Sequence, residues 1–114
     1  MKKAVTLKEN WEFRRLYNKG KSAVGPAMVI YCKKNRLDHN RLGVTVSTKL
    51  GGAVVRNRAR RRLREIYRLA SPKLKKGYDF VIVARSKAVE GSFAAMEESF
   101  MHLCRKLDLW EDEV

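Results

Sequence analysis

Arginine is concentrated in one short stretch of this chain, and its pattern indicates phosphate binding. Between Lys49 and Arg68 there are eight basic residues and one acid, which gives this stretch half of the chain's net charge of +14. A planar guanidinium group can donate two parallel hydrogen bonds to a phosphate, so arginines without compensating acids favour a polyanionic partner over a merely solvated surface. The candidate residues for this contact are Arg56, Asn57, Arg58, Arg60, Arg61, Arg64 and Arg68.

The same stretch has the period of an amphipathic helix, predicted over Ala53–Ala70 between a Gly51-Gly52 break and Pro72. At 100° per residue, one side of this helix carries Val55, Ala59, Leu63, Ile66 and Ala70. The opposite side carries Asn57, Arg60, Arg61, Arg64 and Arg68. Glu65 is predicted to orient Arg61 and Arg62, its neighbours at helical spacing. Arg62 itself falls at the apolar edge and has no assigned role.

A second group of residues could stack on RNA bases. Phe13 and Tyr17 are four residues apart on a predicted helix, Tyr31 lies on a predicted strand, and Trp110 follows the last helix. Aromatic rings beside a positive groove bind single-stranded RNA by stacking, and Lys49 and Arg85 could supply the charge. Taken alone, however, an aromatic pair on a helix is more often part of the core.

The elements that must position these residues follow from periodicity and turn signals. The first helix, Leu7–Asn18, is predicted to begin with a capping box of Thr6 and Glu9 and to end at a left-handed Gly20. Asn35–Asn40 is predicted to be a turn. The pattern also allows a short strand at Ser22–Val24. The remaining predictions are strands at Ala27–Lys33, about Leu42–Val46 and Tyr78–Arg85, and a last helix at Phe93–Leu107.

This order of elements predicts a single α+β domain over residues 1–114, with helices packed on a small sheet. The longest apolar run, Phe80–Ala84, is far shorter than the ~20 residues of a membrane span, and no signal peptide precedes it. Cys32 and Cys104 are expected to be reduced thiols of a cytoplasmic protein rather than a disulfide or zinc site. We find no catalytic or metal-binding constellation around His39, His102 or Glu97-Glu98.

The arginine-rich block also resembles a known signature. Lys49–Arg58 (KLGGAVVRNR), followed by Ala59-Arg60-Arg61 and Arg64-Glu65, is similar to the RNR motif of the bacterial ribonuclease P protein family. The resemblance extends over nearly the whole chain. It includes Phe13, Tyr17 and Gly20 of the first helix, Tyr31, and Val81–Arg85.

The resemblance implies a two-layer α-β sandwich with a mixed sheet, a ribosomal-protein-like fold with a left-handed β-α-β crossover around the RNR helix. It implies the protein subunit of a ribonucleoprotein endoribonuclease that removes the 5′ leader of precursor tRNA. The RNA subunit would perform the hydrolysis with Mg²⁺, with no catalytic residue or metal ion held by the protein. The RNR residues would contact that catalytic RNA, with one protein per RNA. The residues implied to hold the leader are Phe13, Tyr17, Tyr31, Lys49, Arg85 and Trp110.

Two alternatives remain at this point. A small ribosomal or ribosome-associated protein would explain the arginine helix but not the aromatic residues. A binder of double-stranded DNA would place the helix in a major groove, but Asn57 is its one natural base-reading side chain, so its specificity would be poor. Which RNA nucleotides are contacted and whether the free protein dimerises are open.

Overall fold

A computed structural model describes residues 5–111, and these residues form four helices and four strands. The helices are α1 (Asn10–Lys19), α2 (Ala53–Ala70), α3 (Ser86–Glu90) and α4 (Phe93–Lys106). The strands are β1 (Lys21–Val24), β2 (Met28–Lys34), β3 (Arg41–Thr45) and β4 (Tyr78–Ala84). Short 3₁₀ turns at Thr48–Leu50 and Ser71–Lys73 flank α2.

The strands form one mixed sheet in the order β1-β2-β4-β3. β1 and β4 both pair antiparallel with β2, whereas β3 runs parallel to β4 and is joined to it through α2. This β3-α2-β4 unit brings the carboxyl ends of β3 and β4 to the same end of the sheet. The arginine-rich helix therefore begins immediately beyond that end.

The two faces of the sheet are covered unequally. One face, here called the α2 face, packs against α2, α3 and α4 and holds the larger core, in which Ile30, Phe80 and Leu63 are fully buried. The opposite face, here called the α1 face, carries a smaller cluster built on Leu7, Leu16 and Val81. Sheet and helices on the α2 face form the predicted α-β sandwich. α1 is an additional cover across part of the other face.

Most of the predicted elements are present. α2 has the predicted bounds, because a Gly-Gly break precedes it and Pro72 lies in the turn that follows it. The short strand allowed at Ser22–Val24 is present as β1. α3 was not predicted, since its five residues are too few to show a helical period.

The start and end of α1 differ from the prediction. Backbone hydrogen bonds join Leu42 N–H to the Val5 carbonyl and Leu7 N–H to the Leu42 carbonyl, at 2.8 and 2.9 Å. The predicted Thr6 cap is therefore wrong, because this segment is extended alongside β3 and the helix starts only at Asn10. The prediction that Gly20 has a left-handed backbone is also wrong. Its backbone is extended, and glycine is needed because a Cβ would lie 2.6 Å from the Leu16 carbonyl oxygen.

Candidate nucleic-acid interface

α2 packs on the sheet along a stripe that is rotated slightly from the predicted one. Ala59, Leu63 and Ile66 are buried as predicted, and Tyr67 joins them. Val55 was placed inward by its wheel position, but it is 37% exposed. It lies in the first turn of the helix, against Gly51, before α2 reaches the core. The outward side of α2 is therefore free to carry its arginines.

Three of these arginines are exposed and have no hydrogen-bond or ion-pair partner within the described part of the chain: Arg58, Arg61 and Arg64. No acid or hydrogen-bond acceptor of residues 5–111 neutralises or holds their guanidinium groups. Mutual repulsion between such neighbours is relieved when an anion binds, which makes them the strongest candidates for phosphate contacts.

The other residues of the motif make local contacts that fix the helix start. Arg56 Nε donates to the Gly51 carbonyl oxygen at 3.2 Å, and Arg60 donates to the Asn57 side-chain oxygen at 3.0 Å. Each of these guanidinium groups has further N–H donors beyond the one used. Arg56 and Arg60 thus shape the turn and first helical turns and can still contact a ligand.

Glu65 pairs with Arg68 rather than with Arg61 and Arg62, so that part of the prediction is wrong. Both carboxylate oxygens of Glu65 accept hydrogen bonds from Arg68, the one from Nε at 3.0 Å. The hydrogen bonds from Arg68 hold the pKa of Glu65 below its usual value. A bidentate pair at i,i+3 occupies the fork of Arg68, which makes this arginine the least available of the outward row.

Arg62, which had no assigned role, has a structural one. Its Nη2 donates to the Gly91 carbonyl oxygen at 3.0 Å, in the short link between α3 and α4. The half-buried side chain thereby ties α2 to the two helices beside it. This contact explains why an arginine stands at the apolar edge of the helix.

On the α1 face, two of the predicted aromatic residues meet and a third lies beside them. The rings of Tyr17 and Tyr31 pack edge to face, with centroids 4.9 Å apart. Phe13 lies over Gly43, where an added Cβ would be 2.5 Å from the Phe13 ring carbon Cε2. Glycine at this position therefore lets α1 approach the sheet closely. Phe13 and Tyr17 border the part of the α1 face that α1 leaves uncovered, and this part of the sheet together with the two rings is here called the cleft.

The cleft floor is a row of small side chains that crosses all four strands beside α1. The strand register aligns Thr45, Val83, Val29 and Val24. Thr45, Val29 and Val83 are half-buried, and Val24 is 58% exposed. An apolar floor beside an aromatic wall is suited to the flat faces of unpaired bases.

Lys49 and Arg85 lie where β3 and β4 end, at the end of the sheet that borders this cleft. Both side chains are exposed. Arg85 Nη1 donates to the Gly25 carbonyl oxygen at 3.0 Å, so its guanidinium group lies along the β1–β2 turn. The structure thus places three of the six predicted cleft residues on the α1 face and two more at the adjoining end of the sheet.

Trp110 is the exception, and its predicted placement in the cleft is wrong. The segment around it pairs with residues 73–75, and its half-buried ring packs against the core of the α2 face. The Arg105 guanidinium lies 5.8 Å from the Trp110 ring centroid. The chain turns at Asp108, whose φ is 59°, and this turn directs Trp110 away from α1.

An ion cluster at the base of α1 was not predicted. Arg41, at the start of β3, contacts Asp79 of β4 and Glu12 of α1, and both carboxylates are buried. Backbone N–H groups of Glu9 and Lys8, and then Arg41, lower the pKa of Glu12, and the hydrogen bond to Asp79 raises the pKa of Arg41. One signal was available: an aspartate inside an apolar strand needs a buried partner.

The described residues hold no group of three metal-ligating side chains. Cys32 and Cys104 are buried free thiols, and burial raises their pKa values to about 11 and about 12. Neither is therefore a nucleophile at neutral pH. Between residues 5 and 111, no helix combines the length and apolar character needed to cross a membrane.

Comparison with known proteins gives consistent similarities over most of the chain. A family model described as Ribonuclease P matches residues 1–108. The ribonuclease P protein component of Alkaliphilus oremlandii is 41% identical over 109 residues, 96% of each chain. That of Clostridium acetobutylicum is 45% identical over 105 residues, 90% of this chain and 88% of the relative.

Two solved structures have the same fold. The RNase P protein of Staphylococcus aureus superposes with a TM-score of 0.85 at 33% identity, covering 96% of this chain and 100% of that one. The protein from Thermotoga maritima gives a TM-score of 0.80 at 32% identity, covering 88% of this chain and 96% of that one.

Proposed function

The chain belongs to the ribonuclease P protein family, and we propose on that premise that its two surfaces bind two different RNAs. It is the protein subunit of a ribonucleoprotein endoribonuclease of tRNA processing. The outward arginines of α2 contact the catalytic RNA. The cleft between α1 and the sheet holds the 5′ leader of precursor tRNA.

The main support for two separate RNA sites is that the exposed arginines and the aromatic rings of the cleft lie on opposite faces of the sheet. Arg58, Arg61 and Arg64 are exposed on α2, which packs on one face of the sheet, and they have no ion-pair or hydrogen-bond partner in the part of the chain that the structure describes. Phe13 and Tyr17 border an uncovered apolar row on the other face. A folded RNA is gripped mainly through its phosphates, whereas a single strand offers unpaired bases for stacking.

In this proposal the catalytic RNA performs the hydrolysis. Mg²⁺ held by that RNA would activate the attacking water and stabilise the leaving oxygen. The protein contributes charge neutralisation and holds the leader, with one protein bound per RNA in the cytoplasm. A small ribosomal protein, the alternative from the sequence, accounts for neither the family match nor the cleft.

Reconstitution tests the proposal. The protein is mixed with a bacterial ribonuclease P RNA at a Mg²⁺ concentration too low for the RNA alone, and 5′ cleavage of precursor tRNA is measured. We expect the protein to restore cleavage, because its cations replace part of the screening that Mg²⁺ provides. A variant with Gln at positions 58, 61 and 64 is measured in parallel, and a higher concentration of it should be needed to reach the same cleavage rate. Absence of stimulation by the unaltered chain would contradict the proposal.

A further inference from the structure

Arg41 joins α1 to the sheet through all of its guanidinium nitrogens. Nε and Nη2 donate to the two carboxylate oxygens of Asp79, each at 2.8 Å, and Nη1 lies 2.9 Å from Glu12 Oε2. Asp79 and Glu12 are 6% and 7% exposed. Both carboxylates are therefore largely removed from water, and Arg41 is the cation that pairs with both of them.

The Glu12 carboxylate also closes the beginning of α1. Its Oε1 accepts the backbone N–H groups of Glu9 at 2.9 Å and Lys8 at 3.0 Å. Its two oxygens thus bind the helix start on one side and Arg41 on the other. The position of the first turn of α1, directly before Phe13, is fixed relative to the sheet by this carboxylate.

The position of Arg41 in the chain connects this contact to the arginine-rich helix. Arg41 is the first residue of β3, and β3 leads through the 3₁₀ turn at Thr48–Leu50 into α2. Asp79 lies opposite Arg41 in β4, and Asn35 donates a further hydrogen bond to Asp79 at 2.9 Å. The Arg41 guanidinium group therefore fixes the position of α1 relative to β3, the strand that leads into α2.

We infer that Arg41 is a positioning residue, which fixes the leader-holding wall of Phe13 and Tyr17 in register with the arginine helix. The inference rests on the proposed function. If α2 holds the catalytic RNA and the cleft holds the leader, their relative placement determines which phosphodiester bond reaches the catalytic site. Apolar contacts of Leu16 and Phe13 still hold α1 when Arg41 is replaced, so α1 shifts rather than detaches.

The test compares Arg41→Gln and Arg41→Lys with the unaltered protein. Arg15→Gln is the matched control, because Arg15 is exposed on the same helix and its removal changes the net charge equally. Affinity for the catalytic RNA is measured first. Affinities of the reconstituted enzyme for precursor and mature tRNA follow, and the 5′ end of the tRNA product is mapped at saturating protein.

For Arg41→Gln we expect the preference for precursor over mature tRNA to fall by about tenfold, the effect of weakening one base stack. The fraction of product cut at a neighbouring bond should rise. Affinity for the catalytic RNA should stay within about twofold of the Arg15→Gln control, since α2 keeps its packing. Arg41→Lys keeps the charge but not the fork, so its values should lie between those of Arg41→Gln and the unaltered protein.

Normal precursor preference together with normal cleavage position would overturn the inference, as would equal losses of catalytic-RNA and precursor affinity. If Arg41→Gln does not fold, Arg41→Lys decides by the same two criteria. Phe13→Ala, measured in parallel, separates this inference from the proposed function. If Phe13→Ala leaves the precursor preference intact, the cleft assignment itself fails. If Phe13→Ala lowers the precursor preference but the Arg41 variants keep both this preference and the cleavage position, the positioning role alone fails.

Discussion

Replacing Arg58, Arg61 and Arg64 of α2 by glutamine should remove a defined share of the salt dependence of RNA binding. Arg58, Arg61 and Arg64 make no hydrogen bond or ion pair with residues 5–111, so a triple Gln variant loses no such bond to this part of the chain. We expect its free energy of unfolding to stay within about 0.5 kcal/mol of the unaltered protein. Its net charge would fall from +14 to +11.

The magnitude follows from counterion release. Each neutralised phosphate of a duplex contributes about −0.9 to the slope of log K against log salt, so three lost contacts should flatten the slope by about 2.7. Between about 50 and about 200 mM salt, the affinity advantage of the unaltered protein should therefore shrink by about 40-fold. These values come from the B-DNA coefficient applied to helical parts of the catalytic RNA.

Filter binding of the catalytic RNA at a series of KCl concentrations measures this slope. The matched control replaces Lys8, Lys76 and Lys106 by Gln, which removes the same charge from exposed positions outside α2. Its slope should stay close to that of the unaltered protein. An unchanged slope in the arginine variant, or an equal flattening in the lysine control, would refute the assignment of a specific phosphate-binding helix.

Three further predictions concern residues that the structure places between or beside the two surfaces. Arg62→Ala should lower the free energy of unfolding in urea by about 1.5 kcal/mol through loss of its bond to Gly91, yet change catalytic-RNA affinity by less than about twofold. Gly43→Ala should lower the free energy of unfolding by about 1–3 kcal/mol, because the new Cβ displaces the Phe13 ring. It should also weaken precursor tRNA binding more than mature tRNA binding. The pKa of Glu12 is lowered in the folded state from 4.5, so its stabilising contribution is complete above that value and is lost as the pH falls through the lowered pKa. Glu12→Gln should therefore show a smaller loss of stability under acid than the unaltered protein in urea titrations at a series of pH values.

The sequence alone predicts those features that depend on local patterns. The bounds of α2 follow from Gly51-Gly52 before it and Pro72 after it, and its arginine row follows from the 3.6-residue period. β2 and β4 follow from their β-branched residues, with bounds shifted by at most one residue. Phe13 and Tyr17 are predicted to share a helix face because they are four residues apart.

The differences arise where distant segments meet. The helix was predicted to start at Leu7, with Thr6 as its cap, because nothing in this segment's own pattern shows that it pairs with Leu42. Trp110 was assigned to the cleft by resemblance, and its position after the last helix does not reveal the sheet face to which the chain returns. Predicting the ion cluster of Arg41 requires knowledge of which strands are neighbours in the sheet. Only the tertiary structure supplies these facts.

The division of labour between the two surfaces is tested most directly by the affinities of the reconstituted enzyme for precursor and mature tRNA. These are compared between Phe13→Ala and the triple Gln variant of Arg58, Arg61 and Arg64, each at protein concentrations that saturate the catalytic RNA. Phe13→Ala should weaken precursor binding alone, by about fivefold to a hundredfold for one lost stack, and the triple variant should keep the preference for precursor. Equal weakening of precursor and mature tRNA by Phe13→Ala would contradict the account.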